Sequence, residues 1–112
     1  MKLLDLSFLE ELVVLRRDIH AHPELAFQET RTAGIIAREL SGYGIEVHGV
    51  AKTGIIGVLK KGCSQRAIGL RADMDALPVL EKNVFGHVSQ YPGKMHACGH
   101  DGHVAMLLGA AR

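Results

Sequence analysis

Three imidazoles, a thiol and a carboxylate fall within eight consecutive positions, His96-Ala97-Cys98-Gly99-His100-Asp101-Gly102-His103. These are the donor types that a borderline-soft divalent ion takes up, so the string reads as a site for one or two such ions. A loop with chance histidines would account for the imidazoles but not for the thiol and carboxylate among them. Spacing narrows the choice of ligands. Cys98 and His100 are two apart, which on a helix would aim them away from each other, whereas an extended turn through Gly99 lets both converge on one ion. His96 and His100 are four apart, as in a helical pair, but Gly99 and the aperiodic lead-in count against a helix there. His103 shares a face with His100 if a helix begins at Asp101; otherwise its role is packing or a hydrogen bond to substrate. Asp101 is read as a helix cap or as a group that orients a ligand, rather than as a ligand itself.

A second constellation is Leu70-Arg71-Ala72-Asp73-Met74-Asp75-Ala76-Leu77-Pro78. An apolar strand that ends in carboxylates is a frequent way for an open α/β sheet to build a site at its carboxyl edge. Asp73 and Asp75 are two apart and share a side in extended chain. Two like charges held together want a cation, a hydrogen-bond donor or a raised pKa; the bland alternative is an ordinary polar strand end. His20, His22 and Glu24 flank a helix stop and are read as caps and surface contacts, and nothing in the sequence assigns His87. Cys63 has only Lys60 and Lys61 near it to activate a thiol. The glycines form no phosphate-binding fingerprint.

The elements that must carry these groups follow from hydrophobic period. Leu9, Leu12, Val13 and Ile19 recur at helical spacing from Leu6 to His20, with Ser7 and Glu10 as a capping box and Pro23 as the stop. A second helix runs from about Glu29 to Ser41, with Ala33, Ile36, Ala37 and Leu40 on one face and Gly42 or Gly44 ending it. Strands are expected at Ile45–His48, Gly54–Leu59 and Arg66–Arg71. Asp73–Gly99 is aperiodic, a length of loop that usually carries function. Gly102–Arg112 then reads as an apolar helix capped by Asp101. Helix, helix, strands, helix suits a layered α/β domain, and a chain that stops inside so apolar a helix is expected to have been cut there.

Composition bounds the function classes. With 112 residues the chain is one small domain at most, and 47% hydrophobic residues exclude a disordered tail. A formal charge of +1 gives no field for nucleic acid or an acidic polymer. Met1 to Ser7 begins like a signal peptide, but Asp5, Glu10 and Glu11 interrupt it and no cleavage site follows. No run is long enough to span a bilayer. Two cysteines, Cys63 and Cys98, are too few for a secreted disulfide scaffold, so a cytoplasmic protein with reduced thiols is expected.

Asp73-Met74-Asp75-Ala76-Leu77-Pro78, followed by Pro92-Gly93-Lys94-Met95 and the histidine–cysteine string, closely resembles the metal-dependent amidohydrolase branch of the M20 peptidases. This branch holds the hippurate hydrolases and related N-acyl-amino-acid amidohydrolases. Arg16-Arg17-Asp18-Ile19-His20-Ala21-His22-Pro23-Glu24 resembles the family's N-terminus, so the likeness covers nearly the whole chain. The resemblance implies the N-terminal part of a layered α/β/α zinc-peptidase-like catalytic domain. Residues 1–112 would be its first segment, and the rest of that domain and a smaller dimerisation domain would follow Arg112. By position in the motif, Cys98 and His100 match metal ligands and Asp75 matches the acid that orients a ligand. Asp73 stands where the wider group has a ligating histidine; His96, Asp101 and His103 remain as groups that orient ligands or meet substrate. The implied reaction is hydrolysis of the amide of a small N-acyl amino acid by one or two divalent ions, with zinc, manganese, nickel and cobalt equally compatible. A homo-oligomeric parent is compatible, and no nucleic acid or membrane partner is implied.

Two rivals stand beside this reading, a cysteine hydrolase with Cys98 as nucleophile and a small non-enzymatic metal-binding module. A cysteine hydrolase is indifferent to chelators, whereas the metal reading requires sensitivity to them. Because the resemblance places a Glu-Glu pair that accepts the proton beyond Arg112, the purified 112-residue chain is expected to show no turnover of benzoylglycine. Chelator-sensitive release of glycine by that chain would overturn this expectation.

Overall fold

The computed structural model describes residues 6–112, so the leader-like opening at residues 1–5 lies outside the described residues. Helix α1 spans Leu6–Ala21, as expected, with Ser7 inside it. Its inward stripe is Phe8, Leu12, Leu15 and Ile19, at the i, i+4, i+7, i+11 spacing of one helix face. Ile19 is completely buried. The expected Leu9 and Val13 lie off that stripe and stay 40% and 45% exposed.

The link from α1 to the second helix is built by one carboxylate. Helix α2 covers Thr30–Gly42, and its N-cap residue Glu29 makes no side-chain capping bond. Glu24 does so from outside the helix. Its carboxylate accepts the backbone N–H groups of Arg31 (2.9 Å) and Thr32 (2.7 Å) and the Thr32 hydroxyl (2.6 Å). A negative charge there satisfies orphan donors and complements the helix dipole. At the other end Gly44 takes a positive φ of 79°. The N–H groups of Gly44 and Ile45 return to the carbonyls of Ser41 and Leu40, a Schellman stop.

Strands β1 (Glu46–Val50) and β2 (Gly54–Val58) form one antiparallel hairpin. Buried Glu29 accepts from the Phe27 N–H and from the Thr53 hydroxyl, which ties the hairpin tip to the start of α2. The expected third strand, Arg66–Arg71, does not form. It has no ladder partner among the described residues, and Ile68 and Leu70 remain 87% and 66% exposed. High β-propensity makes no strand without a neighbour to bond.

Helix α3 spans His100–Ala111 and packs Val104, Ala105 and Leu108 inward against α1. Gly109 permits that approach, because a Cβ there would meet Leu12 Cδ1 at 2.7 Å. Ile19, Ile35, Leu40, Ile45, Val104 and Leu108 form the core between α1, α2, α3 and the foot of the hairpin. Among the described residues, no helix is long and apolar enough to cross a membrane.

Gly44 has open space around it, so a side chain would meet only backbone strain. Gly44→Ala is expected to destabilise the intact protein by about 1 kcal/mol, with Gly44→Asn intermediate. Urea denaturation measures this, and an unchanged midpoint would refute it.

Candidate metal centre

Two main-chain bridges bring the two candidate constellations together. Leu25 pairs with Ala76, whose N–H donates to the Glu24 carbonyl at 2.8 Å. Leu77 and Met95 exchange both backbone hydrogen bonds, at 2.9 and 3.0 Å. Asp75 is thereby set beside the segment that leads into His96, Cys98 and His100.

His100 opens α3, and Gly99 before it adopts φ 87°. That left-handed turn, cheap only for glycine, separates an imidazole on the helix from a thiol just before it. Nδ1 of His100 lies 2.9 Å from Oδ1 of Asp75 and 3.0 Å from the Asp75 carbonyl oxygen. A carbonyl oxygen can only accept, so Nδ1 carries the hydrogen, and in the neutral ring the lone pair is on Nε2. This is the tautomer a metal-bound histidine needs, with a carboxylate holding the far nitrogen. Cys98 is exposed and free.

His96 is 96% removed from solvent by its 4% exposure, and neither of its ring nitrogens has a hydrogen-bond partner. Burial pushes its pKa below the usual histidine range, against the pull of Asp101. A neutral, unpartnered imidazole two positions from Cys98 is an orphaned polar group in a site otherwise rich in donors. Asp73 goes elsewhere: both Nε and Nη2 of Arg71 donate to it, at 3.0 and 2.8 Å, and these bonds and the Arg71 charge hold its pKa down. Asp73 and Asp75 therefore serve different partners. His103 lies on the same side of α3 as His100, with ring centroids 5.9 Å apart.

Asp101 corrects the capping expectation. It sits inside the first turn of α3, where Gly99 is the N-cap residue and no side chain caps the helix. Its carboxylate is 1% exposed at the residue level and faces back to α1. Oδ2 accepts from Arg16 Nε at 3.0 Å and from His20 Nδ1 at 2.8 Å. Burial raises its pKa, but the bonds from His20 and the Gly102 N–H and the Arg16 charge outweigh that and lower it.

His20 is the residue that the sequence reading missed. It is 3% exposed, not a surface contact, and its other nitrogen, Nε2, lies 3.0 Å from Glu81 Oε2. The ring is packed by His87 and Phe85, which stack on each other with centroids 3.9 Å apart. Glu81 also accepts from Asn83 (2.8 Å) and from the Ser89 N–H (2.7 Å). Burial pushes the Glu81 pKa up, yet these bonds and the one from His20 bring it down to about 2. The available signal was the Arg16–His20 spacing of four beside the buried stripe of α1. Among the described residues, no three His, Cys, Asp or Glu side chains are arranged to hold one ion.

Residues 69–112 match the model of peptidase family M20/M25/M40. The chain is 48% identical over 103 residues to an N-acyl-L-amino acid amidohydrolase of Geobacillus stearothermophilus, covering 91% of this chain and 28% of that protein. It is 50% identical over 103 residues to a hippurate hydrolase of Campylobacter jejuni, covering 91% of this chain and 27% of the relative. The chain thus spans a little over a quarter of the length of these curated relatives. A crystal structure from Bacillus subtilis, described as a dinuclear metal binding peptidase from the M20 family, superposes with a TM-score of 0.92 at 44% identity. That match covers 96% of this chain and 31% of the other, and the α/β architecture is shared.

Because Glu81 titrates lower in the fold than the ordinary 4.5, it stabilises the folded state above about pH 4.5. That contribution fades as pH falls towards about 2. Glu81→Gln is expected to lose roughly 1–3 kcal/mol at pH 7 and to converge on the unsubstituted protein in acid. Denaturant titrations from neutral to acid pH read this, and a pH-independent difference would refute it.

Proposed function

We propose that this chain, M20 peptidase sequence by its match over residues 69–112, supplies Cys98 and His100 as ligands to a divalent ion in an amidohydrolase acting on small N-acyl amino acids. The single observation that carries the reading is the Asp75–His100 pair, which leaves the Nε2 lone pair of His100 available. The donor set fits a borderline-soft ion: a thiol, an oriented imidazole and, two positions before the thiol, an imidazole with no partner. When bound, the ion polarises the scissile carbonyl and lowers the pKa of a water towards about 7.

Asp75 holds the His100 ring in one tautomer and one orientation. Gly99 keeps the thiol and the imidazole on separate elements. Asp101 and Asp73 are engaged by His20, Arg16 and Arg71, which leaves them as charges near the centre rather than as ligands. Two ligands are fewer than the three protein ligands that catalytic zinc keeps. Further ligands and the Glu-Glu pair that accepts the water's proton belong, in this reading, to parts of the protein after residue 112, where a separate smaller dimerisation domain is also expected. A cytoplasmic location is part of the same proposal and is supported by two free, exposed thiols.

In the intact protein, Asp75→Asn is expected to weaken divalent-metal affinity roughly ten- to a hundredfold, measured by competition with a chromogenic chelator. Cys98→Ser and His100→Ala should lower it further and abolish chelator-sensitive hydrolysis of benzoylglycine. Unchanged metal content and turnover in the Cys98→Ser/His100→Ala protein would overturn the proposal.

A further inference from the structure

The buried polar network around His20 has no part in the reaction proposed above, yet it joins the same two segments that carry Asp75 and His100. Glu81 lies six positions after Asp75, and Asp101 directly follows His100. His20 spans them, with Nδ1 at 2.8 Å from Asp101 and Nε2 at 3.0 Å from Glu81. Both side-chain carboxylates are almost wholly buried, at 2% and 4% exposure. Each ring nitrogen therefore has a carboxyl oxygen within hydrogen-bond reach. One ring thus bridges two buried carboxyl groups, with Arg16 adding a second donor to Asp101. Phe85 and His87 pack against the ring, and the His96 ring stands 6.3 Å away.

We infer that His20 is a positioning residue of the candidate metal centre, fixing the start of α3 and the 77–91 loop relative to each other through Asp101 and Glu81. The Asp75–His100 bond aligns one ring; the His20 bridge aligns the two segments on which that bond depends. Without it, Asp101 and Glu81 would be left as buried carboxylates short of a donor, and they would part or take up water. His100 would then lose its fixed relation to the Cys98 turn. The inference rests on the reading of Cys98 and His100 as metal ligands.

The test uses the intact protein loaded with cobalt(II), whose absorption reports thiolate ligation and coordination geometry. His20→Gln keeps a polar group for one carboxylate and removes the two-ended bridge. It is expected to bind cobalt roughly tenfold or more weakly and to shift the visible bands, while the metal-free protein still unfolds cooperatively. Arg16→Gln removes only the second donor to Asp101 from a half-exposed side chain; it should move affinity and spectrum in the same direction by less, and it serves as the readout if His20→Gln does not fold. Lower stability with unchanged cobalt affinity and spectrum in the folded variants would show a merely structural role and overturn the inference. A Cys98→Ser protein that retains the original spectrum would instead defeat the ligand reading on which it stands.

Discussion

The hydrogen bond from His100 Nδ1 to Asp75 is the constraint on which the proposed metal centre depends. It takes one nitrogen out of play and turns the other outward as a lone-pair donor, and it does so with two acceptors, the carboxylate and the carbonyl of one residue. Most of the nearby architecture can be understood as holding that pair in register. The Leu77–Met95 exchange sets the spacing of the two segments, and the Ala76 N–H anchors them to the turn after α1. Glu24 serves twice there: its carbonyl receives Ala76 and its carboxylate caps α2. The helix that completes the core and the strandlike bridge that carries Asp75 thus share one residue.

The electrostatics divide sharply by depth. Arg38–Glu39 and His48–Glu46 are exposed ion pairs, screened by water and of little consequence. The side chains of the His20 bridge are almost wholly buried, so its two carboxyl groups are satisfied locally or not at all. Asp101 sits where these layers meet. It lies in the first turn of α3, where the dipole favours an anion, yet its partners come from α1. One carboxylate therefore couples helix packing to the orientation of the residue before it, which is His100.

Local relations were legible in the sequence and distant ones were not. Cys98 and His100 stood out because their types and short spacing are rare together, Asp75 was marked as an orienting acid only by the family resemblance, and the helices stood out because their apolar period is strong. His20 and Glu81 are 61 positions apart, and Asp101 is 81 from His20. Each is an ordinary residue in its own neighbourhood, so only the fold reveals that they meet. The same limit explains Asp101: the spacing is right for a cap, but its Oδ2 is taken by Arg16 and His20 of α1, residues 85 and 81 positions away. Arg66–Arg71 fails for the converse reason, since its local pattern is strandlike and a strand is defined by a neighbour.

Gly99 makes the short path between thiol and imidazole a matter of chain length. With its left-handed φ the chain enters α3 abruptly, and His100 is the first residue to take the helix's rotation. Each further residue advances the side chain by about 100° around the axis. A one-residue insertion or deletion between Cys98 and His100 falls outside the helix, so it would leave the ring's phase on α3 unchanged and displace the thiol by about 3.8 Å. The Cys-Gly-His triplet is therefore a length standard cut into the backbone, as intolerant of indels as of exchanges at its two ends.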